Sequence, residues 1–295
     1  MLNEKLESMI NAAFPIKERT LILGAGEIGR SLKEILDPHF EVIIKDKDAI
    51  AFPNETYGVI HICYPYSDKF VEITKNYISL HNPRLVIVHS TVRPGTIEQL
   101  PRFVVHSPVN GKHPNLAKSM LTFTKVVGGN DVFAVYEAVK LLNLVGVKTH
   151  VFSNSRTSEL AKVLCTTQYG WHLVLMKEIA RICNEFKVPF HEVYTEWNNI
   201  YNQGYSEFGE MRFMRPNLFP MDGPIGGHCV IPNCNLLDDF ITSTIKGRND
   251  LYKLERILEA SGQGPDSRKS EGAKIDDKSK RKNRRNHKGM ESGVK

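Results

Sequence analysis

Cys229 is the side chain best placed for covalent chemistry in this sequence of 295 residues. It follows Gly226 and Gly227, and because neither glycine carries a side chain, the thiol is open to an approaching carbonyl. A thiolate in such a loop is a candidate nucleophile toward an aldehyde. The alternatives are a small buried hydrophobe or a metal ligand with His228 and Cys234, although that spacing matches no common zinc pattern.

Lys162 and Thr91 are two further candidates for catalysis. Lys162 stands in an otherwise apolar helical stretch, where an ammonium needs a partner or a purpose such as stabilising a developing alkoxide. The alternative is a salt-bridged lysine that reaches the surface. Thr91 follows a predicted strand, on the side of a parallel sheet where ligands gather, and would orient a water or a substrate hydroxyl. Its alternative role is to cap the loop.

A glycine motif at residues 24–29 follows an apolar run and opens a helical pattern. Gly24 permits a tight turn, Gly26 lets the backbone approach a pyrophosphate, and Gly29 allows close packing of helix on strand. Free N–H groups at the helix start would receive the phosphates. The motif predicts a dinucleotide site, the alternative being a glycine turn used for packing alone. We expect the pyrophosphate to contact Gly24, Gly26, Glu27, Ile28 and Gly29.

Asp46, twenty-two residues after Gly24, ends the second predicted strand, where an acidic residue holds the ribose hydroxyls of NAD. The cofactor predicted is therefore NAD rather than NADP. Lys45 and Lys47 flank Asp46 and would attract the extra phosphate of NADP. We expect four residues in the loops after the next two strands to complete the cofactor site: Tyr64, Pro65, Ser90 and Thr91.

These residues must be positioned by an α/β framework, because short β-rich apolar runs alternate with helical patterns. Strands are predicted at 20–23, 41–45, 59–63, 85–89, 103–106, 125–127 and 148–152, and helices at 27–36, 67–80 and 131–142. The alternation favours parallel pairing with crossover connections, and thus a Rossmann-type doubly wound parallel sheet.

Helical patterns dominate the rest of the chain. A long helix is predicted at 157–186, capped by the polar residues 153–155, and its dense apolar positions indicate burial on more than one side. We expect it to join two domains or two subunits of a homodimer. Shorter helices are predicted at 2–14, 191–202 and 250–260, with a loop at 216–232. The predicted domains are 1–152 for NAD binding, 153–260 as a helical domain, and 261–295 as a disordered basic tail.

The formal charge of +6 arises in that tail. Of 39 basic and 33 acidic residues, 11 and 5 follow residue 264, so residues 1–264 balance at 28 each. The run at 278–285 could contact nucleic acid or an anionic surface, although a solvated tail is the commoner explanation. Five cysteines without a C-x-x-C pair, and no signal-peptide pattern, favour the cytoplasm. No apolar run has the roughly 18–20 residues of a membrane span.

Four segments beyond the glycine motif resemble the UDP-glucose/GDP-mannose 6-dehydrogenase family. They are H-S-T-V-R-P-G-T at 89–96, Ser107-Pro108, E-L-A-K at 159–162 and G-P-I-G-G-H-C at 223–229. The resemblance spans residues 20–250 and implies a Rossmann-type domain followed by a helical domain like that of 6-phosphogluconate dehydrogenase. It further implies NAD-dependent oxidation of a nucleotide sugar at its primary alcohol, with Lys162, Cys229 and Thr91 as catalytic residues.

Three positions depart from the family pattern. Val109 stands where the family has the Glu of S-P-E, Thr166 where it has an Asn four residues after the Lys, and Asn233 where it has an Asp four residues after the Cys. Neither Val nor Asn can act as a carboxylate base for thioester hydrolysis. Family members also continue into another α/β domain that holds the nucleotide, whereas here a basic tail follows Ala260. Another polypeptide would have to supply the contacts to the nucleotide.

The leading hypothesis is an NAD-dependent dehydrogenase that acts on a sugar-derived or other small alcohol and stops after one hydride transfer. The second hypothesis is a catalytically silent NAD-binding or regulatory protein. The third is a nucleic-acid-associated protein that binds through its tail.

Overall fold

The structure is a computed structural model that describes residues 19–46, 55–114, 116–227 and 229–261. Contacts divide the chain into two compact units, of which the first comprises residues up to Thr166 together with Asn235–Leu237. The second comprises Thr167–Cys234 and the residues from Asp238 onward. The predicted domain boundaries, which concern independently folding parts, stay predictions.

The first unit is built on a sheet of seven strands in the order β2-β1-β3-β4-β5-β6-β7. The strands are β1 (Arg19–Leu23), β2 (Glu41–Lys45), β3 (Val59–Ile62), β4 (Leu85–Val88), β5 (Val104–His106), β6 (Lys125–Gly129) and β7 (Thr149–Val151). The first five are parallel, and β6 pairs with β7 in parallel but with β5 antiparallel. The predicted Rossmann-type sheet is confirmed, with one antiparallel pair as a correction to uniform parallel pairing.

Helices connect these strands. They are α1 (Glu27–Leu36), α2 (Phe70–His81), α3 (Leu116–Thr122) and α4 (Val132–Leu144), with a 3₁₀ turn at Ile97–Gln99. Residues 107–124, which include α3, connect β5 to the antiparallel strand β6.

Alternate residues of each strand enter opposite layers of the core. In β1, Leu21 and Leu23 belong to one apolar cluster, and Ile22 belongs to the other. Successive side chains of a strand point to opposite faces, so a strand covered on both sides reads as a continuous apolar run. This burial fixes the sheet and brings the carboxyl ends of the five parallel strands to one edge.

α5 (Ser155–Phe186) begins in the first unit and continues into the second. The Asn154 side chain accepts a hydrogen bond from Thr157 N at 2.8 Å, as expected of the predicted cap cluster. The second unit contains a π-helical segment (His191–Glu196), α6 (Trp197–Glu207), a 3₁₀ turn (Met211–Phe213), α7 (Val230–Cys234) and α8 (Phe240–Ala260). Its core gathers residues from α5, α7 and α8 around Ile245.

The element predictions hold with three corrections. α3 was not predicted, α8 begins ten residues before the predicted start at 250, and α7 begins inside the predicted loop. The helix predicted at 2–14 lies outside the described residues. No helix in the described ranges is long and apolar enough to cross a membrane.

Candidate functional site

The turn after β1 is a tight backbone crossing. Gly24 has a φ of 106°, which side-chain-bearing residues rarely adopt, and its N–H donates to Lys45 O at 2.7 Å. A Cβ on Gly24 would lie 2.7 Å from Tyr64 N. The turn after β1 therefore packs directly against the turn after β3. In this strand order β2 and β3 lie on either side of β1, so the two turns border the crevice where doubly wound sheets bind ligands.

Gly29 and Gly26 are glycines for different reasons. A Cβ on Gly29 would lie 1.9 Å from Gly24 O, so helix and turn can approach only if this side chain is missing. A Cβ on Gly26 would meet nothing within 4 Å. Gly26 is the N-cap of α1, and no side chain caps it. An exposed helix start with open space above it fits a pyrophosphate, which would accept hydrogen bonds from its N–H groups.

Glu27 and Ile28 occupy the first turn of α1. The Glu27 carboxylate pairs with His113 Nδ1 at 2.5 Å, which draws this carboxylate toward the loop after β5. Ile28 packs against the core, so only its backbone is available to a ligand. The predicted role of the α1 start in cofactor binding thus falls on backbone groups.

Asp46 directly follows β2 and is exposed at the same edge of the sheet as the glycine turn. Lys45 is buried, and this burial lowers the pKa of its ammonium, while nearby Glu55 partly offsets the effect. A buried Lys45 is badly placed to attract a phosphate from solvent, which favours NAD. Lys47 lies outside the described residues.

The residues expected after β3 and β4 serve mainly to join the two loops. Ser90 Oγ donates to Tyr64 O at 2.5 Å. The Tyr64 ring packs in the core, and its hydroxyl bonds Thr74 Oγ1 at 2.6 Å. Pro65 is exposed beside them. Of Tyr64, Pro65 and Ser90, Pro65 is the exposed one.

Thr91 is half-buried, and its side chain makes no hydrogen bond within the part of the chain that is described. The loop is capped instead by Thr96, whose hydroxyl donates to Arg93 O at 2.5 Å. The capping role considered for Thr91 is therefore filled by another residue, and the Thr91 hydroxyl is available to a ligand.

Glu159 fixes that loop to α5. Its carboxylate accepts hydrogen bonds from Gly95 N at 2.6 Å and Ile97 N at 2.8 Å, and the residue is fully buried. Burial raises the pKa of Glu159 to about 7, although the two backbone bonds oppose this shift. Glu98 and Arg156 lie nearby and act in opposite directions. The loop that begins at Thr91 is thereby held at a fixed distance from Lys162, one helical turn after Glu159.

Lys162 is half-buried, and its Nζ donates to Asn110 Oδ1 at 3.1 Å. An ammonium only donates, so the amide oxygen of Asn110 must face it and the amide nitrogen must face away. Asn110 follows β5, and its loop leaves the same edge of the sheet as the glycine turn and Thr91. Lys162 therefore reaches the edge where the cofactor is expected.

The three departures from the family pattern have structural consequences. Val109 is buried in the core, so the position of the expected Glu faces the protein interior. Thr166 Oγ1 donates to Val163 O at 2.9 Å, which commits its hydroxyl proton to the backbone. Asn233 is buried on α7. The chain thus lacks a carboxylate at each position where the family has one for hydrolysis.

Cys229 belongs to the second unit and is exposed, which excludes the buried-hydrophobe interpretation. No group of three or more His, Cys, Asp and Glu within the described ranges could hold a metal, and His228 lies outside them. Cys63 and Cys183 are buried, whereas Cys165 on α5 is exposed.

A row of buried polar side chains underlies the site. His61 Nδ1 lies 2.8 Å from His89 Nε2, and Lys125 Nζ donates to Ser107 O at 2.5 Å and Pro108 O at 2.8 Å. Burial lowers the pKa of His61 to about 3 and that of Lys125 to about 7. Of these groups, Lys125 is the one that binds the loop after β5.

His106 connects the loop after β4 to α5. Its Nε2 lies 3.1 Å from Ser90 O and its Nδ1 lies 2.9 Å from Ser158 Oγ. A carbonyl oxygen only accepts, so Nε2 carries the proton of the neutral ring. The Ser158 hydroxyl also donates to Ser155 O at 2.8 Å. Burial lowers the pKa of His106 to about 3.

Sequence reasoning missed Asn110, His106 and Lys125 and gave Glu159 no role. Two of them carried a signal, since His106 and Lys125 are polar residues inside predicted strands. A polar group in a buried strand requires a partner. Asn110 carried no signal, because nothing in the sequence places it beside Lys162.

Comparisons with known proteins identify nucleotide-sugar dehydrogenases as similar to this chain. No family model matches the chain. A UDP-N-acetyl-D-mannosamine dehydrogenase from Methanocaldococcus jannaschii is 23% identical over 244 residues, which cover 71% of this chain and 54% of that protein. A protein of the same description from Pyrococcus horikoshii is 27% identical over 123 residues, covering 37% of this chain and 29% of that protein. The chain spans about half the length of the first relative.

Among solved structures, UDP-D-ManNAc dehydrogenase from Pyrococcus horikoshii has a TM-score of 0.65 at 19% identity, covering 83% of this chain and 72% of that one. This structural likeness establishes the fold. Together with the sequence matches, it confirms the predicted resemblance to the UDP-glucose/GDP-mannose 6-dehydrogenase family.

Proposed function

We propose that this chain, a divergent relative of the nucleotide-sugar 6-dehydrogenases, is an NAD-dependent dehydrogenase that performs a single oxidation of a sugar-derived alcohol. The observation that carries the proposal is the glycine turn, in which Gly26 leaves open space above an uncapped helix start beside the crevice between β1 and β3. Asp46 and the buried Lys45 favour NAD over NADP. The substrate class follows from the relatives, which act on UDP-N-acetyl-D-mannosamine.

The residues of the first unit divide the work of one oxidation. Bound NAD would supply the hydride acceptor. Backbone N–H groups at the start of α1 would hold its pyrophosphate, and Asp46 would hold the adenosine ribose. Thr91 orients the substrate hydroxyl. Lys162 releases one ammonium proton to solvent, and its neutral amine then accepts the hydroxyl proton as the carbonyl forms. Cys229 would capture an aldehyde only in a second oxidation, and hydrolysis of the thioester lacks its carboxylates.

The test combines binding with turnover. NAD titrated calorimetrically should bind with higher affinity than NADP, and a panel of nucleotide sugars should include one that reduces the bound NAD. Lys162→Ala should abolish that reduction while retaining NAD binding. Cys229→Ser decides whether the thiol serves the reaction, and normal turnover by both variants would refute the assigned catalytic residues.

A second candidate function is a catalytically silent NAD-binding or regulatory protein. The burial of Val109 favours it, because the position that carries the family's Glu cannot reach a substrate. This candidate predicts NAD binding without turnover of any nucleotide sugar. Two-step production of a uronic acid would eliminate it.

The assembly proposed is a homodimer formed through the second unit. Its surface carries an open cavity of about 480 Å³ between α5, the π-helical segment and α6, lined mainly by apolar residues that include Leu175, Ile179 and Trp197. Apolar surface of this kind favours association with another chain.

A cytoplasmic location stays a prediction. Contact of the basic run at 278–285 with nucleic acid also stays a prediction, because that run lies outside the described residues. Deletion of residues 264–295 would test that contact.

A further inference from the structure

The amide that the family places on the helix has a counterpart on a neighbouring loop. In the family pattern an Asn stands four residues after the Lys, on the same helical face. Here that position is Thr166, whose hydroxyl proton goes to Val163 O. Asn110, from the loop after β5, instead presents its amide oxygen to Lys162 Nζ at 3.1 Å.

The amide nitrogen of Asn110 is available to donate hydrogen bonds to a ligand. Because Oδ1 faces the ammonium, Nδ2 points away from it with two donors. Nδ2 donates no hydrogen bond to any residue in the described ranges, and the residue is half-buried. A donor beside the proton acceptor is placed to bind the oxygen from which that proton leaves.

We propose that Asn110 replaces the missing helical amide, holding Lys162 through Oδ1 and binding the reacting oxygen of the alcohol substrate through Nδ2. The inference rests on the proposed dehydrogenase function. Once the Lys162 ammonium has released one proton to solvent, its neutral amine takes the O–H proton of the alcohol. The C–H bond would break with its electron pair leaving as hydride to a bound nicotinamide cofactor, and the C–O bond becomes a carbonyl. The developing negative charge on oxygen is stabilised by the Asn110 N–H, as in other oxyanion sites.

The first test is loss of the amide. Asn110→Ala should lower kcat about 100-fold, as removal of one oxyanion donor does elsewhere, with little change in NAD affinity. Asn143→Ala, which changes an exposed Asn on α4, is the matched control and should retain full activity. Thermal melting separates a catalytic loss from unfolding, and Asn110→Ser provides a second variant if Ala lowers the melting temperature.

The second test is relocation. In the double variant Asn110→Ala/Thr166→Asn, the amide returns to the helical face that carries Lys162, and kcat should recover at least about tenfold over Asn110→Ala. A structural role for Asn110 predicts no such rescue. Full activity of Asn110→Ala, or a double variant no faster than it, would overturn the proposal while the dehydrogenase function still stands.

The third test examines the contact with Lys162 without turnover. Asn110→Asp places an anion beside the ammonium, so the pKa of Lys162 should rise by about one unit or more. His106 and Lys125 also interact electrostatically with Lys162 and are unchanged in this variant. NMR titration of isotope-labelled lysine measures the shift, and the acidic limb of the kcat profile should move the same way. An unshifted Lys162 would exclude the contact, whereas a wild type that reduces no NAD would refute the proposed function.

Discussion

Gly26 and Gly29 stand three residues apart and face opposite constraints, which makes them a matched pair. Gly29→Ala drives a Cβ to 1.9 Å from Gly24 O and should lower the free energy of unfolding by at least about 2 kcal/mol. Gly26→Ala meets no protein atom within 4 Å and should leave the melting temperature nearly unchanged. It should nevertheless weaken NAD binding about tenfold or more, equivalent to ~1.4 kcal/mol, because the added methyl occupies the pyrophosphate space.

Calorimetric titration and thermal melting of both variants check this pair of outcomes. Gly29→Ala shows the effect of a crowded turn on stability, whereas Gly26→Ala shows the effect of the added methyl on NAD binding alone. Wild-type NAD affinity in Gly26→Ala would show that the turn serves packing alone, which is the alternative that sequence reasoning left open.

A second prediction for a single residue concerns Lys125 and the pH dependence of the free energy of unfolding. Burial lowers its folded-state pKa to about 7, whereas an unfolded lysine has its ordinary value near 10.5. Between these values the unfolded state binds more protons, so this residue makes stability rise with pH, by up to ~1.4 kcal/mol per pH unit. Below pH 7 both states are protonated, and the slope from this group vanishes.

Lys125→Met should remove that rise. Urea unfolding of both proteins from pH 6 to pH 10 measures the difference. Lys148→Met is the control, because Lys148 is exposed although its backbone carbonyl accepts from Lys125 N. A wild type and a Lys125→Met variant with parallel profiles would show that Lys125 stays charged when folded.

Single residues of the site differ in how well the sequence predicts them. The glycine turn is predictable because its motif states both the local backbone geometry and its neighbours in the chain. The Lys162 to Asn110 contact is not, since 52 residues separate the partners and their meeting depends on where α5 docks against the sheet.

Among the helices and strands, α5 makes the contacts that position the candidate site. Glu159 accepts two backbone N–H groups of the loop after β4, Ser158 bonds His106 beneath it, and Lys162 reaches Asn110 one turn later. Neighbouring positions of α5 thereby bind β5 and the loops that follow β4 and β5. These contacts explain how a helix that belongs to two units can position Lys162.

Glu159 predicts a pH dependence opposite in sign to that of Lys125. Its folded pKa of about 7 lies above the ordinary value of 4.5, so between these values the folded state binds more protons. The contribution of Glu159 to stability is therefore fully present below pH 4.5 and is lost as pH rises through 7. Relative to Glu159→Gln, the wild type should lose roughly 3 kcal/mol over this range.

Urea unfolding of Glu159→Gln and of a control, Glu98→Gln, at pH 4.5 and pH 8 measures that change. The control removes a more exposed carboxylate that pairs with Arg156, and it should show little of the effect. A wild type that gains stability relative to Glu159→Gln as pH rises would reverse the assigned sign.

Elements were predicted well where periodicity was strong. The bounds of α1 and β2 match, because glycines and charged residues mark their ends. α3 was missed because a helix of seven residues is too short to show an apolar period. The early start of α8 was missed because its first turns are rich in β-branched Thr and Ile residues and contain Gly247, all weak helix formers, although Asp239 forms a capping box with Thr242.

For the whole molecule, the apolar surface of the second unit predicts association. Trp197 on α6 is 63% exposed and lines the cavity beside α5. In solution the protein should scatter light as twice its 33.5 kDa mass. Trp197→Glu should give monomers, because a buried charge without a partner opposes association.

Phe133→Glu is the matched control, since Phe133 is 76% exposed on α4 of the first unit. It should leave the mass of the dimer unchanged. A wild-type mass of one chain, or equal dissociation by both variants, would argue against a dimer formed through the second unit.

The number of hydrides removed per substrate distinguishes a single oxidation from a double one. Wild-type protein, NAD and a panel of nucleotide sugars should be incubated to completion, with reduced cofactor followed by absorbance and product by mass spectrometry. We expect one reduced NAD for each substrate consumed and a carbonyl product. Two reduced NAD per substrate with a carboxylate product, or bound NAD that no sugar in the panel reduces, would contradict it.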